Sequence, residues 1–489
     1  MTRRSRTRAT VVAALVTVGL VAGAAAAVAG GSYGDPAYLQ HDLDNISRST
    51  LSGRQLAELE DLGYGKALTP LAAQTFLTNL GRQVADLPQG RAYLTLGQLL
   101  PGGAVGNPLT YRSLTPTTVA FSSRTGAKLL GRIWLDGKPG PHPGIVITPG
   151  SIQGTQHMYF WAARTLAQAG FEVLTFDAQG QGESETFGHH PPTWLPTTAG
   201  VPFQQEANFV DGTVDALRFL LSTPGHPYVP GGWTAAEVRG ARYQADPSLA
   251  WYNPGAAVLD ATRVGLAGHS LGATAISVVQ QCSDTAQLWK TLAVCTGRSF
   301  PIRAVVAWDA LNASVAPIVP AMDQEADGYF LFPEPAPTAP DPHAHLRAFD
   351  RWKAAGLDTY ALTIRGGTHL EWVDVPYILP STTYGVLAAA RYTLAWMDRY
   401  LSANPAVQQQ ATTLLLGSPK DDAATHGTSQ WPWSASFLSA NYLGAFSLHD
   451  TGGGVHQITD LRRYGGVSPV GDWKGANADR PKARAVAPG

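Results

Sequence analysis

Ser270 is the side chain best placed in this chain to act as a nucleophile. It stands at the centre of Gly268-His269-Ser270-Leu271-Gly272, a G-x-S-x-G sequence. An apolar run over residues 264–267 comes before it, and small apolar residues over 273–279 follow. These flanks predict a buried strand, a tight turn and a helix, which is the setting of a nucleophile elbow. Glycines are expected on both sides because so sharp a turn leaves no room for larger neighbours.

A serine hydroxyl needs a base to accept its proton, and the base needs an acid to orient it. In a strand–turn–helix architecture the acid and then the histidine follow the serine along the chain. His369 is the predicted base because it follows a strand pattern over residues 359–364 and precedes the last long helix. Asp327 is the favoured acid because it follows a predicted strand over residues 318–322. Three other carboxylates in this interval stay open as alternatives: Asp309, Asp323 and Glu325.

The negative oxygen of an acyl-transfer intermediate needs two backbone N–H donors. Leu271 is the first predicted donor, because it follows the nucleophile at the start of the helix. The second is expected from the loop over residues 149–154, where Ser151 is favoured and Ile152 is the next choice. Backbone donors leave no side-chain pattern, so an ordinary Gly/Pro turn stays open for this loop.

These residues must be carried by strands that end at one edge of a sheet. Apolar runs over residues 144–148 and 172–176 flank a stretch of helical period over 156–169. A strand, a helix and a strand at this spacing form a βαβ unit. A further strand is predicted over residues 302–308, and a long helix over 381–401. The pattern therefore predicts an α/β fold with a mostly parallel central sheet flanked by helices.

The strand and helix pattern of the predicted sheet occupies residues 114–404. Segments with other compositions precede it, follow it and interrupt it. Residues 30–113 carry apolar residues at helical spacing and predict an N-terminal helical region packed on the core. Residues 224–260 are rich in Pro, Gly, Trp and Tyr and form a predicted lid-like insertion, although an inert surface insertion fits equally well. Residues 405–489 have no clear period and are predicted to be a C-terminal extension anchored by aromatic side chains.

The composition excludes several classes of partner. The 489 residues carry a net charge of −1, and 44% are hydrophobic against 15% charged, so nothing favours nucleic acid. No Cys or His group has the spacing of metal ligands. The glycine turn over residues 177–184 lacks a complete G-x-G-x-x-G, so no dinucleotide loop is predicted.

The N-terminus has the pattern of a secretory signal. Residues 1–8 hold four arginines, residues 9–29 are uncharged and rich in Ala and Val, and Ala27-Val28-Ala29 fits the small-x-small cleavage rule. We expect cleavage after residue 29, secretion, and no stable membrane span afterwards. An uncleaved membrane anchor is the alternative.

The chain has two cysteines, Cys282 and Cys295. An even pair in an exported protein predicts a disulfide, which would stabilise the fold by about 2–3 kcal/mol. Two buried free thiols are the alternative.

Four motifs together resemble the α/β-hydrolase superfamily, in its dienelactone-hydrolase-like and esterase branches. They are Thr148-Pro149-Gly150, Asp177-x-x-Gly180-x-Gly182-x-Ser184, Gly268-His269-Ser270-Leu271-Gly272 and Gly367-Thr368-His369. The resemblance extends over roughly residues 117–404. Relatives often have His-Gly where this chain has Pro149-Gly150. The resemblance implies an α/β-hydrolase fold, a Ser-His-acid triad, an acyl-enzyme intermediate and no cofactor.

The residues and the resemblance together predict an exported serine hydrolase acting on a small-molecule or lipid-like carboxylic ester. A lipase, a peptidase or an acyltransferase would use the same machinery. A protein of another class, a catalytically idle member of this fold that binds a ligand, is the further alternative. The acyl and alcohol groups of the substrate are not determined by these patterns.

Overall fold

The computed structural model describes residues 114–151, 154–185, 188, 206–238, 248–326, 346–364, 369, 371–373, 383–417, 443–450 and 452–461. The predicted signal segment, residues 1–29, and the predicted N-terminal helical region, residues 30–113, lie outside this set. Among the described residues, 114–302 and 373 belong to one compact unit, and the others belong to a second.

Five strands form the sheet of the first unit. They are β1 (Thr117–Ser122), β2 (Lys128–Trp134), β3 (His142–Thr148), β4 (Glu172–Phe176) and β5 (Leu259–His269). Their order is β1-β2-β4-β3-β5. The β4–β3 and β3–β5 pairs are parallel, and the β1–β2 and β2–β4 pairs are antiparallel. Every residue of β3 and β4 is buried, so both strands consist mainly of apolar residues.

Besides a single turn over Ala235–Glu237, three helices of the first unit lie in the described part of the chain. They are α1 (Phe160–Gln168), α2 (Glu206–Leu220) and α3 (Leu271–Val279). α1 connects the parallel strands β3 and β4, which confirms the predicted βαβ unit. The Thr148 hydroxyl, at the end of β3, hydrogen-bonds the Thr213 hydroxyl of α2 at 2.8 Å. α2 is thereby tied to the end of the strand that precedes the predicted oxyanion loop.

In the second unit, five strands and three helices lie within the described residues. The strands are β6 (Ile302–Trp308), β7 (Ala321–Ala326), β8 (Thr359–Ile364), β9 (Ala445–His449) and β10 (Val455–Ile458). β6, β7 and β8 are parallel, whereas β9 is antiparallel to β8 and to β10. The helices are α4 (Arg347–Ala354), α5 (Thr383–Leu401) and α6 (Pro405–Leu416).

Each unit therefore has a mixed sheet with parallel strands and flanking helices, and the architecture is α/β. Of the helices that the structure describes, none is long and apolar enough to cross a membrane.

β7 differs from its prediction. The sequence pattern placed a strand over residues 318–322, whereas the observed strand runs over Ala321–Ala326 and includes Asp323, Gln324 and Glu325. All six residues are buried, and β7 pairs with β6 on one side and β8 on the other. Three consecutive polar residues read as a loop, but a central strand can hold them when the tertiary structure supplies their hydrogen bonds.

The described parts of the C-terminal extension, residues 405–417, 443–450 and 452–461, belong to the second unit. They contribute α6, β9 and β10, and they are held by the carboxylate of Asp358, just before β8. One oxygen of Asp358 accepts the His449 N–H at 2.7 Å, and the other accepts from Arg399 at 3.1 Å and from Tyr400 at 2.5 Å. One buried carboxylate thus joins β9 to α5.

Two residues of the predicted insertion over residues 224–260 form hydrogen bonds with the backbone of β1. The Ala250 N–H donates to the Ala120 carbonyl at 2.7 Å, and the Tyr228 hydroxyl donates to the Ser122 carbonyl at 2.5 Å. β1 is the edge strand of the first unit. The insertion therefore covers part of an edge that would otherwise present unpaired backbone groups.

The predicted disulfide is present. Cys282 and Cys295 are bonded, with their Cα atoms 5.4 Å apart, and both residues are buried. The bond closes a short loop between the end of α3 and the start of β6. By the loop-closure relation, such a loop is worth about 3 kcal/mol.

Candidate active site

Ser270 is the single residue between β5 and α3. Its backbone has φ 55° and ψ −124°, a conformation that side chains other than glycine rarely adopt and that costs about 1–3 kcal/mol. The residue is partly exposed, whereas His269 just before it is buried. The predicted strand, turn and helix are therefore all found, and the serine carries the strain of the turn.

The glycines around Ser270 allow the turn to lie against the end of β3. A Cβ on Gly268 would come within 2.4 Å of the Gly272 carbonyl oxygen. A Cβ on Gly272 would come within 2.3 Å of the Pro149 carbonyl oxygen and 2.4 Å of that of Thr148. These are backbone atoms that cannot move aside separately, so the close approach requires glycine at both positions.

His269 directly precedes Ser270, and its side chain bonds elsewhere. Its ring is buried, and its Nδ1 lies 2.9 Å from the Tyr159 hydroxyl. That hydroxyl also accepts the Gly150 N–H at 2.8 Å. Because the hydroxyl is already an acceptor, its own hydrogen is available to His269. His269 thus belongs to the support of the loop after β3.

The loop after β3 lies beside Ser270 and is fixed at both ends. A Cβ on Gly150 would come within 3.2 Å of the Ser270 Cβ. The Gln181 side-chain amide donates to the carbonyl of Gly150 at 2.9 Å and to that of Gly154 at 3.0 Å. Ser151, the predicted second oxyanion donor, follows Gly150 directly, and Leu271, the predicted first donor, is the first residue of α3. Ile152 lies outside the described residues.

The glycine turn after β4 is built around a buried carboxylate. Asp177 accepts the Gln156 N–H at 2.7 Å and the Glu183 N–H at 3.0 Å. Burial raises the pKa of Asp177 to about 6, although these N–H groups act in the opposite direction. The carbonyl of Asp177 also accepts from the Ser184 hydroxyl at 2.7 Å. The carboxylate of Asp177 therefore joins one N–H of its own turn, that of Glu183, to the N–H of Gln156.

In the second unit, His369 is paired with Asp309. The His369 Nδ1 forms a short hydrogen bond with the Asp309 carboxylate. Asp309 directly follows β6 and has a φ of 64°. Its other carboxylate oxygen accepts the Ala326 N–H at 2.9 Å. Both side chains are mostly buried, with 22% of His369 and 13% of Asp309 exposed.

The charge state of Asp309 is determined by competing effects. Burial acts to raise the pKa of its carboxyl group, but the hydrogen bond and the positive charge of His369 outweigh burial. Hydrogen bonds with Glu325 and with the Ala326 N–H act in the same direction as His369. The pKa of Asp309 is therefore held below its usual range, and the group is a carboxylate at neutral pH.

Two of the other candidate acids lie on β7. Asp323 and Glu325 are buried there, in register with Ala361 and Thr363 of β8. Asp327 follows β7 and lies outside the described residues, so its role stays a prediction. The described carboxylate that holds His369 is Asp309, which the sequence pattern included among the alternatives.

The segment after His369 is anchored in the core. The Trp372 indole N–H donates to the Gln324 side-chain oxygen at 3.1 Å. The Gln324 side-chain amide donates in turn to the Thr393 hydroxyl of α5, also at 3.1 Å. Trp372 and Gln324 are fully buried. A residue three positions after the histidine is thus tied to the centre of β7.

Two groups that support the loop after β3 had no role in the sequence interpretation. Gln181 lies inside the glycine turn over residues 177–184, which is one of the four motifs. No sequence pattern indicated which group its side chain would bond. Tyr159 had no signal at all, because a buried tyrosine on a helix is usually a core residue. In the part of the chain that the structure covers, no group of three or more His, Cys, Asp or Glu side chains could hold a metal ion.

Comparison with protein-family models finds no match to this chain, and a search of curated proteins also finds none.

Proposed function

We propose that this protein is a serine hydrolase that cleaves carboxylic esters through an acyl-enzyme intermediate. The backbone of Ser270, at φ 55° and ψ −124° between β5 and α3, carries the proposal. Strain of this kind persists when the surrounding structure enforces it, and it clusters at functional sites. A serine on such a turn presents its hydroxyl above the sheet as a nucleophile.

In the proposed reaction the Ser270 Oγ attacks the ester carbonyl carbon, and its proton passes to the Nε2 of His369. The carbonyl electron pair moves onto oxygen and returns when the C–O bond to the alcohol breaks. His369 gives its proton to the departing alkoxide. Water then attacks the acyl-enzyme, with His369 again accepting and returning a proton, and the acid is released.

Asp309 is the acid in this proposal, in place of Asp327. Its hydrogen bond to Nδ1 leaves the Nε2 of His369 as the nitrogen that can accept the serine proton. The lowered pKa of Asp309 keeps a negative charge beside the imidazolium that forms during the reaction. The chain order of serine, aspartate and histidine is also preserved.

The N–H groups of Leu271 and Ser151 are the proposed oxyanion donors. Leu271 is the first residue of α3, where an N–H has no partner within the helix. Ser151 belongs to the loop that lies beside Ser270. Two donors placed for the oxyanion stabilise the transition state more than they stabilise the bound ester, and this difference lowers the activation barrier.

We further propose the α/β-hydrolase fold and action outside the cytoplasm. The parallel strands, the elbow after β5 and the histidine after β8 support the fold. The signal-like pattern of residues 1–29 and the disulfide between Cys282 and Cys295 support export, because disulfides persist in oxidising compartments.

Labelling with a fluorophosphonate tests the nucleophile. The folded wild-type protein should be labelled on Ser270, and Ser270→Ala should not be labelled. Ser277→Ala is a matched control, because Ser277 is a buried serine in α3 whose hydroxyl donates to the Ala273 carbonyl at 2.7 Å. Equal labelling of wild type and Ser270→Ala, or no labelling of folded wild type, would sink the proposal and leave the ligand-binding alternative.

A panel of isosteric variants tests the acid. Asp309→Asn should lower kcat by about 10³- to 10⁴-fold, because the amide cannot hold the productive tautomer of the histidine. Asp323→Asn, Asp327→Asn and Glu325→Gln should each retain most of the activity. A large loss in Asp327→Asn, together with little change in Asp309→Asn, would assign the acid to Asp327 instead.

A further inference from the structure

Two buried side chains hold Gly150, in the loop after β3, one at its N–H and the other at its carbonyl. The Tyr159 hydroxyl accepts the Gly150 N–H at 2.8 Å, and the Gln181 amide donates to the Gly150 carbonyl at 2.9 Å. The same amide nitrogen donates to the Gly154 carbonyl at 3.0 Å. Gln181 and Tyr159 are both fully buried. A single side-chain amide therefore closes the loop from its first glycine to its last.

The bond from Gln181 determines the direction of the next N–H. In a trans peptide the C=O and the following N–H point in opposite directions. Because the Gly150 carbonyl points at Gln181, the Ser151 N–H must point away from Gln181. Glycine permits either orientation of this peptide, so the backbone alone does not choose between them.

We propose that Gln181 and Tyr159 are positioning residues, which hold the Gly150–Ser151 peptide so that its N–H binds the oxyanion. This inference rests on the proposed function. Without Gln181, the peptide can flip and present a carbonyl oxygen, which repels the oxyanion instead of binding it. Without the Tyr159 hydroxyl, the Gly150 N–H loses its partner and the support from His269 is broken.

The expected effect is on the chemical step. Loss of one oxyanion donor lowers kcat by about 10²- to 10³-fold. A loop that is only freed to flip still spends part of its time in the productive orientation. We therefore expect Gln181→Leu to lower kcat by about 10- to 100-fold, with KM changed less than about 3-fold. Gln181→Glu should be at least as severe, because a carboxylate would face two carbonyl oxygens.

The control is Gln280→Leu. Gln280 is also a fully buried glutamine of the first unit, and its amide donates to a backbone carbonyl, that of Ser277, at 3.1 Å. The Gln280→Leu variant should lose stability, as Gln181→Leu does, but its kcat should stay at the wild-type value. Thermal unfolding of each variant shows whether the protein is folded at the assay temperature. Tyr159→Phe removes the hydroxyl alone and should lower kcat in the same direction.

The measurement compares a p-nitrophenyl ester with its thionoester. Sulfur accepts hydrogen bonds poorly, so an intact oxyanion site favours the oxygen ester, and loss of a donor reduces this preference. We expect the ratio of the two kcat/KM values to fall at least about 5-fold in Gln181→Leu and to stay at the wild-type value in Gln280→Leu. A merely structural role would lower both rates together.

The outcomes separate the two proposals. If wild type is labelled at Ser270 but Gln181→Leu and Gln181→Glu keep the kcat and ester ratio of Gln280→Leu, the positioning role is wrong and the hydrolase proposal stands. If folded wild type is not labelled at Ser270, the hydrolase proposal is wrong, and the positioning role is wrong with it.

Discussion

At the scale of single residues, backbone strain coincides with two of the proposed catalytic side chains. Three residues other than glycine have a positive φ in the described part of the chain: Ser270, Thr296 and Asp309. Two of them are the proposed nucleophile and the proposed acid. Both directly follow a strand, so the strain turns a side chain at the point where the sheet ends. A strained residue with a nucleophilic or acidic side chain is a stronger functional signal than either property alone.

The strain at Ser270 predicts that a glycine at this position is more stable than an alanine, although neither variant has the nucleophile. Ser270→Gly should unfold with a free energy about 1 kcal/mol higher than that of Ser270→Ala, because glycine adopts this φ without the clash that alanine retains. The greater flexibility of glycine in the unfolded chain offsets part of the gain. Urea unfolding of the two variants measures the difference, and neither variant should be labelled. An alanine variant as stable as the glycine variant would show that the turn is not strained.

At the scale of elements, the elbow depends on how closely α3 approaches β3. β5 lies parallel to β3, with Gly268 opposite Thr148 in register. The first turn of α3 rests on the carbonyl oxygens of Thr148 and Pro149, and Gly272 is the residue at this contact. The contact links the helix that follows the proposed nucleophile to the strand that precedes the proposed oxyanion loop, so one glycine affects both.

Gly272→Ala tests this contact. The new Cβ would meet two backbone oxygens at 2.3 and 2.4 Å, so α3 or the loop must shift. We expect the free energy of unfolding to fall by about 1–3 kcal/mol and fluorophosphonate labelling of Ser270 to slow at least about 10-fold, since a displacement of about 1 Å can cost 10²-fold in rate. Gly225→Ala is the control, because a Cβ there meets nothing within 4 Å. Equal stability and labelling of the two variants would contradict the argument.

At the scale of the whole molecule, buried carboxyl groups make stability depend on pH. Burial raises the pKa of Glu172 to about 7, of Asp398 to about 7 and of Asp211 to about 6. The folded state therefore holds protons more tightly than the unfolded state does. Stability falls as pH rises from the ordinary carboxyl pKa towards these values, because folding must then retain the proton or bury a charge. Asp309, whose pKa is lowered, acts in the opposite direction and contributes stability that is lost only in acid.

Glu172→Gln should remove part of this pH dependence. One carboxyl oxygen of Glu172 accepts from Asn253 at 2.6 Å, and the other has no hydrogen-bond partner among the described residues. The amide cannot ionise, so the variant should gain up to about 3 kcal/mol relative to wild type between pH 4.5 and pH 8. Urea unfolding at both pH values measures the gain. Asp284→Asn, at an exposed carboxylate, is the control, and a gain of the same size there would refute the assignment to Glu172.

The sequence alone determined those features that depend on local pattern. β4, β6 and β8 have the bounds that their apolar runs predicted, because strands buried on both faces are made almost entirely of apolar residues. The elbow was visible because the turn, its strand and its helix are adjacent in the chain. The disulfide followed from the presence of just two cysteines.

Only the tertiary structure decided the features that depend on contacts between distant residues. β7 was misplaced because its polar residues are satisfied by other elements, such as Gln324 by Trp372 and Thr393. The sequence pattern favoured Asp327 and left Asp309 as one of three alternatives, because the described partner of His369, Asp309, lies 60 residues away from it in the chain. The Gln181 amide donates to a carbonyl 31 residues away. Backbone groups are the same in every residue, so no sequence pattern could have revealed that contact.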